Sequence, residues 1–172
     1  LNAFKSFDDE FYTLAKSMFD LNRIDGPALP NKRGGAFCSS STPDIKPYVL
    51  LNFTGKLRDV STMAHELGHA IHAMLSKSQH IFNYFPIMPL AETASVFSEM
   101  ILTDKFLTEM DDNVDKISIL TSKLEDIFAT SHRQNMFTRF EIETHKIISN
   151  RLMSADELCD TYRKELEGMF GD

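Results

Sequence analysis

The sequence predicts a mainly α fold in which long helices carry a small two- or three-stranded β-ribbon. Three observations lead there. Turn-forming residues crowd the first third: Pro27, Pro30, Pro43 and Pro47 lie there with Gly26, Gly34, Gly35 and Gly55, whereas no proline follows Pro89 and no glycine lies between Gly68 and Gly168. Beyond residue 58, apolar residues recur at three- and four-residue steps, the period of a helix with one buried face. One short run, Tyr48–Phe53, apolar but for Asn52 and bounded by turn residues, reads as the best strand.

The elements follow in order. Ser6 is read as opening a helix, with Asp8 and Asp9 in the first turn, where the helix dipole favours negative charge. Phe7, Phe11, Leu14, Ala15, Met18 and Leu21 give it an apolar face. Residues 23–33 read as loop. Gly34–Cys38 and Tyr48–Phe53 are expected strands, joined by a Ser/Thr/Pro-rich turn. A helix is predicted over 58–76 and another from Pro89, a good first-turn residue, to about residue 110. A very long helix is predicted over 112–150, with Ile117, Leu120, Leu124, Phe128, Phe137, Phe140, Ile147 and Ile148 on its buried side. Ser154 with Glu157 forms a capping box for a last helix ending near Phe170.

Composition bounds the function. The 172 residues are read as one domain, long enough to bury a core without disulfide staples. Acidic residues outnumber basic ones 25 to 18, for a net charge of −7, which argues against a nucleic-acid surface. No apolar run approaches the roughly 20 residues of a membrane span, and no signal peptide is visible. The two cysteines, Cys38 and Cys159, form no CxxC unit, and a cytoplasmic location is the expectation.

The informative segment is His65-Glu66-Leu67-Gly68-His69, an HExxH pattern on an expected helix. Four residues at about 100° each bring both imidazoles to nearly one face, a turn apart, where they converge on one metal ion. Glu66 lies to the side and reaches a water at the metal without ligating it. Zinc, content with nitrogen and oxygen donors, suits such a site, although ligand type alone leaves manganese and cobalt open.

A zinc hydrolase needs a third protein ligand and an open position. The candidates downstream are His72, Glu92 and Glu99. A third histidine ten residues after the first is absent, because that position is Leu75. His72 lies too far along the helix to close the coordination sphere and is expected to touch substrate or support a ligand. Glu92 is better placed: it lies on the next helix, and its small neighbours Ala91, Thr93, Ala94 and Ser95 permit close helix approach. Leu90, Ala91, Val96, Phe97, Met100 and Ile101 make that helix read as largely buried. Glu99, two turns later on nearly the same face, can accept the second N–H of a ligating histidine. Gly34 and Gly35 would let a peptide approach the sheet edge as an added strand; a turn before the strand explains either glycine equally well.

Taken together, KRGGAFC at 32–38, PYVLLNF at 47–53, HELGHAIH at 65–72, LAETASVFSE at 90–99 and RQNMF at 133–137 resemble the zinc oligopeptidases of the thimet oligopeptidase and oligoendopeptidase F type. The resemblance is nearest the oligoendopeptidase F branch and covers essentially the whole chain. It implies a zincin core of the gluzincin type, one Zn²⁺ per chain held by His65, His69 and Glu92, and Glu66 as general base. It implies short peptides as substrates, admitted through a deep channel. Such enzymes are several times longer. By this resemblance the chain is a piece of the catalytic core, without the large N-terminal helical region and without the C-terminal stretch that supplies a histidine and tyrosines. Zinc binding with low peptidase activity is then expected of the piece itself, together with self-association through apolar surface left uncovered. Two other readings are a helical zinc carboxypeptidase of another gluzincin family and a non-catalytic helical interaction module with a degenerate HExxH.

Overall fold

The computed structural model describes residues 1–171 and divides into two compact units, one spanning Leu1–Met110 and the other beginning at Asp111. In the first unit, α1 (Asn2–Phe7) and α2 (Asp9–Asp20) precede three strands, β1 (Ile24–Pro27), β2 (Phe37–Ser39) and β3 (Tyr48–Phe53). Helix α3 (Leu57–Leu75), a single 3₁₀ turn (Ser76–Ser78), the one-turn helix α4 (Ile81–Tyr84) and α5 (Met88–Glu109) complete it.

The mainly α prediction with a small ribbon holds, and the differences have local causes. The first helix is two. Asp8, not Ser6, caps the longer one: its backbone is extended and its carboxylate accepts from the N–H groups of Glu10 and Phe11. Ser6 instead turns its hydroxyl back to the Ala3 carbonyl. The second strand is shorter than expected, because Gly34 and Gly35 stay outside it as a turn, with Gly35 at φ +81°. Residues 23–33 are not all loop: Ile24–Pro27 pairs in parallel with β3, giving the sheet order β1-β3-β2.

β3 is the centre of the sheet and alternates as its sequence requires, burying Val49 and Leu51. These pack with Phe4, Ala15 and Met18 of α1 and α2 and with Ala64, Leu67, Ala70, Ile71 and Met74 of α3. α3 therefore lies on the sheet by one stripe. Its N-terminus is fastened by Asp59, whose carboxylate accepts from the backbone N–H groups of Thr54 and Lys56 and from the Thr54 hydroxyl. Those bonds, the one from the Thr54 hydroxyl foremost, hold the Asp59 carboxyl below its ordinary value.

α5 differs from expectation in what it buries. Leu90, Phe97 and Met100 are exposed, Ala91, Val96 and Ile101 are half-buried, and its fully buried residues are Ser95 and Ser98. The cause is Gly68 on α3. A Cβ built there would stand 2.6 Å from Ser98 Oγ, 2.7 Å from the Ala94 carbonyl oxygen and 2.8 Å from Ser95 Cα. The two helices cross almost backbone to backbone, so only very small side chains fit between them.

The second unit contains α6 (Asn113–Phe128), a π-helical turn (Ala129–Arg133), α7 (Gln134–Ile148) and α8 (Ala155–Phe170). The long helix predicted over 112–150 is present as one helical run, broken in pitch by the π turn. Its buried side was placed only in part: Phe137, Phe140 and Ile147 are half-buried, but Ile117, Leu120, Leu124, Phe128 and Ile148 are exposed, and the buried residues are Ile119, Met136 and Thr144. The misplacement lies mostly ahead of the π turn, where α6 buries Ile119 and leaves Ile117 and Leu120 on either side of it exposed.

The capping box of α8 forms as the sequence indicates. The Glu157 N–H donates to Ser154 Oγ, and the Ser154 N–H donates to the Glu157 carboxylate. Arg151 clamps the same carboxylate with both guanidinium N–H arms, and the Glu157 carboxyl falls to about 2. Its folded value lies below its ordinary one of 4.5. The stability it contributes is therefore present above pH 4.5 and is lost as the pH falls towards 2. Arg151→Ala is expected to raise the Glu157 pKa towards the ordinary carboxylate range, read by NMR titration, and to move acid unfolding of α8 to higher pH. Ser154→Ala is expected to cost about 1 kcal/mol, read by urea denaturation.

Candidate metal centre

All the chemistry-bearing residues singled out in the sequence lie in the first unit. On α3, His65 and His69 sit four residues apart with ring centroids 4.9 Å from each other. α5 brings Glu92 over the pair: its Oε2 is 3.3 Å from His65 Nε2 and 3.8 Å from His69 Nε2. One ligand atom from each of the three falls within 4.8 Å of the other two. Two imidazoles and a carboxylate converging on one point form a donor set of the kind zinc takes when a fourth position stays open. The residues present thus fit the metal. Glu92 was the favoured third candidate, and Glu92 is the residue brought to the pair.

The histidines are oriented from α5. His65 Nδ1 lies 2.7 Å from Glu99 Oε1. A carboxylate only accepts, so Nδ1 carries the proton and Nε2 presents its lone pair towards Glu92. A ring N–H of His69 donates to the Ala91 carbonyl. Glu99 has the supporting place the sequence suggested; the Ala91 carbonyl was not anticipated, since a backbone acceptor leaves no mark on residue identity. Burial lowers the proton affinity of both rings. For His69 that effect prevails, and its pKa falls. For His65 the Glu99 bond and the charges of Glu99, Glu66 and Glu92 together outweigh burial, and its pKa rises.

Glu66 stands outside the ligand cluster and is almost fully buried, at 6% exposure. Burial raises its pKa, helped by Glu92 and opposed by His65 and by a hydrogen bond from the Cys38 backbone N–H. That bond follows from the sheet. The Val49 N–H donates to the Arg23 carbonyl, so Val49 faces β1, and its neighbours Tyr48 and Leu50 face β2. Cys38, paired opposite Val49, therefore turns its N–H to the free edge of β2, where Glu66 accepts it. Burial and the Glu66 charge push the Cys38 thiol up to about 12, which leaves it an un-ionised packing group.

His72 is not brought to the metal-ligand cluster. It is half-buried and lowers the proton affinity of His69 as a like charge. Gly34 and Gly35 are exposed and a Cβ at either would meet nothing within 4 Å, so open space lies beside the backbone just ahead of β2. A residue not anticipated fixes that turn: Asn52 of β3 donates through Nδ2 to the carbonyls of Arg33 and Gly35, at 2.9 and 2.8 Å.

Because Glu99 both orients the ring and strengthens its lone pair, Glu99→Ala is expected to weaken zinc binding by about 10–100-fold. Glu99→Gln, which still accepts from Nδ1–H, should lose less. Competition with a chelating dye measures both.

The chain is similar to known peptidases. The model of peptidase family M3 matches residues 4–172. The chromosomal oligoendopeptidase F of Lactococcus lactis subsp. cremoris is 33% identical over 162 residues, covering 93% of this chain and 27% of the relative. An oligoendopeptidase F homolog of Borreliella burgdorferi is 38% identical over 152 residues, covering 86% and 25% respectively. Among solved structures, a Chlamydophila abortus chain described as a peptidase superposes with a TM-score of 0.73 at 35% identity, covering 99% of this chain and 29% of its own length. The chain thus spans about a quarter of the length of the curated relatives it matches. No helix among the described residues is long and apolar enough to cross a membrane.

Proposed function

The chain belongs to peptidase family M3, and from that premise we propose that it is the metal-binding core of a zinc oligoendopeptidase that hydrolyses short peptides in the cytoplasm. The observation that carries the reading is the convergence of His65, His69 and Glu92 within 4.8 Å, with the His65 lone pair set by Glu99. His65, His69 and Glu92 would hold one zinc ion. When bound, zinc supplies a Lewis acid that polarises the scissile carbonyl and acidifies water.

The chain's own residues do the rest. The peptide lies along the free edge of β2, to which Cys38 also turns its carbonyl, and Gly34 and Gly35 ahead of it offer no side-chain obstruction. Glu66, fixed by the Cys38 N–H, accepts a proton from the attacking water as its oxygen bonds to the carbonyl carbon. The raised proton affinity of the buried carboxyl suits that role. The same carboxyl then gives the proton to the amide nitrogen, the C–N bond breaks, and Glu66 is again ionised. With only a quarter of its relatives' length, this chain alone is proposed to bind zinc and to cleave peptides slowly.

Native mass spectrometry of protein purified without chelator or histidine tag tests the reading. One zinc per chain is expected. Glu92→Ala should weaken binding by more than the roughly 10–100-fold typical of losing a supporting group. Absence of metal after zinc is added to folded protein would overturn the assignment.

A further inference from the structure

Glu92 is the least restrained member of the cluster. Its side chain is 49% exposed, against 26% for His65 and 21% for His69. A flexible glutamate on an open surface spreads over several rotamers, and each must be given up when it ligates. Yet its Oε2 is held facing both histidines. The hydroxyl of Ser95, one helical turn on, accounts for this. Ser95 is completely buried, and its Oγ lies 2.9 Å from Glu92 Oε2 and 3.0 Å from the Glu92 carbonyl oxygen.

We propose that Ser95 is a positioning residue: its hydroxyl holds the Glu92 carboxylate over His65 and His69 and so raises the metal affinity of the site. The proposal rests on the zinc reading above. The geometry has three parts. Ser95 reaches the same oxygen that faces both Nε2 atoms, so its proton acts on the ligating end of the side chain. Its own position is set by Gly68, whose missing Cβ would lie 2.8 Å from Ser95 Cα, so the hydroxyl cannot retreat from the interface. Water cannot replace it, because the residue has no exposed surface. Ser98 supplies an internal contrast. It is equally buried on the same helix face, but its hydroxyl donates to the Ala94 carbonyl at 3.1 Å and does not reach Glu92.

Zinc affinity by chelator competition, with the melting temperature of the metal-free protein alongside, tests this in four proteins: wild type, Ser95→Ala, Ser98→Ala and Ser95→Ala combined with Glu92→Ala. Ser95→Ala is expected to bind zinc about 10–100-fold more weakly than wild type. Ser98→Ala should bind as wild type does, and Ser95→Ala should cost nothing further once Glu92 is alanine. The visible spectrum of the cobalt-loaded protein should also change in Ser95→Ala and not in Ser98→Ala. An unchanged affinity in Ser95→Ala overturns the role of Ser95 and leaves the metal site standing. An equal loss with and without Glu92, or a loss that tracks a lower metal-free melting temperature, shows packing instead and overturns it too. A wild type that binds no zinc removes the premise itself.

Discussion

Glu66→Gln is expected to abolish peptide hydrolysis while zinc remains bound at wild-type stoichiometry. The two outcomes separate because Glu66 stands outside the ligand cluster, although it is the immediate neighbour of His65 in the chain. Glutamine has the same shape and still accepts the Cys38 N–H through its amide oxygen, so the buried position stays filled and bonded. It lacks a carboxylate, so it neither takes a proton from water nor returns one to the leaving nitrogen. Loss of a general base typically costs about 10²–10⁴-fold in rate. In the proposed mechanism one group serves both proton transfers, and the upper part of that range is expected. The measurement is cleavage of an internally quenched peptide by the full-length enzyme carrying this segment, paired with its zinc content. A glutamine variant that turns over at a parent-like rate sinks the assignment of Glu66. A variant that has lost its zinc would instead mean that Glu66 supports the ligands.

The centre was legible because its chemistry depends on side-chain type at helical spacing. His65, Glu66 and His69 are fixed by one turn of helix, and Glu92 and Glu99 are seven residues, or two turns, apart on the next. What stayed hidden was of another kind. The Cys38 N–H and the Ala91 carbonyl act through backbone, which any residue would supply. Ser95 and Asn52 are ordinary polar residues whose partners appear only when helix and strand are placed. β1 reads as loop because Ile24-Asp25-Gly26-Pro27 carries two strand breakers; its pairing with β3 comes from a distant partner and not from local preference. The misplaced face of the long helix lies mostly in α6, whose one buried residue is Ile119. The expectation that α5 buries hydrocarbon held for Ile101, which packs against the core, but not where the helix meets Gly68. Its contact with α3 is so close that serine, not leucine, is what fits.

That close contact yields the second large effect. Gly68→Val is expected to destabilise the first unit severely and to disable the metal centre with it, and Gly68→Ala to do so in lesser degree. Two opposing effects meet at this position. Alanine is the better helix former, by about 1 kcal/mol over glycine in a helix interior. Against that, its Cβ would stand 2.6–2.8 Å from Ser98 Oγ, the Ala94 carbonyl oxygen and Ser95 Cα. Two of those three atoms are backbone, so no rotamer change relieves the clash, and α5 itself must move. Overpacking of this kind costs about 1–3 kcal/mol or more, which exceeds the propensity gain. The movement is also aimed at the site, because α3 carries His65 and His69 while α5 carries Glu92, Glu99 and the Ala91 carbonyl. Separation of the helices lengthens each of those contacts together. Gly168→Ala is the matched control. It too lies within a helix, α8, but a Cβ there meets nothing within 4 Å. It should leave zinc binding unchanged and raise stability slightly through helix propensity alone. Thermal unfolding and zinc titration of the three variants decide the matter. If Gly68→Ala proves as stable as wild type and binds zinc equally well, the close crossing of α3 and α5 is not what sets the geometry of the centre.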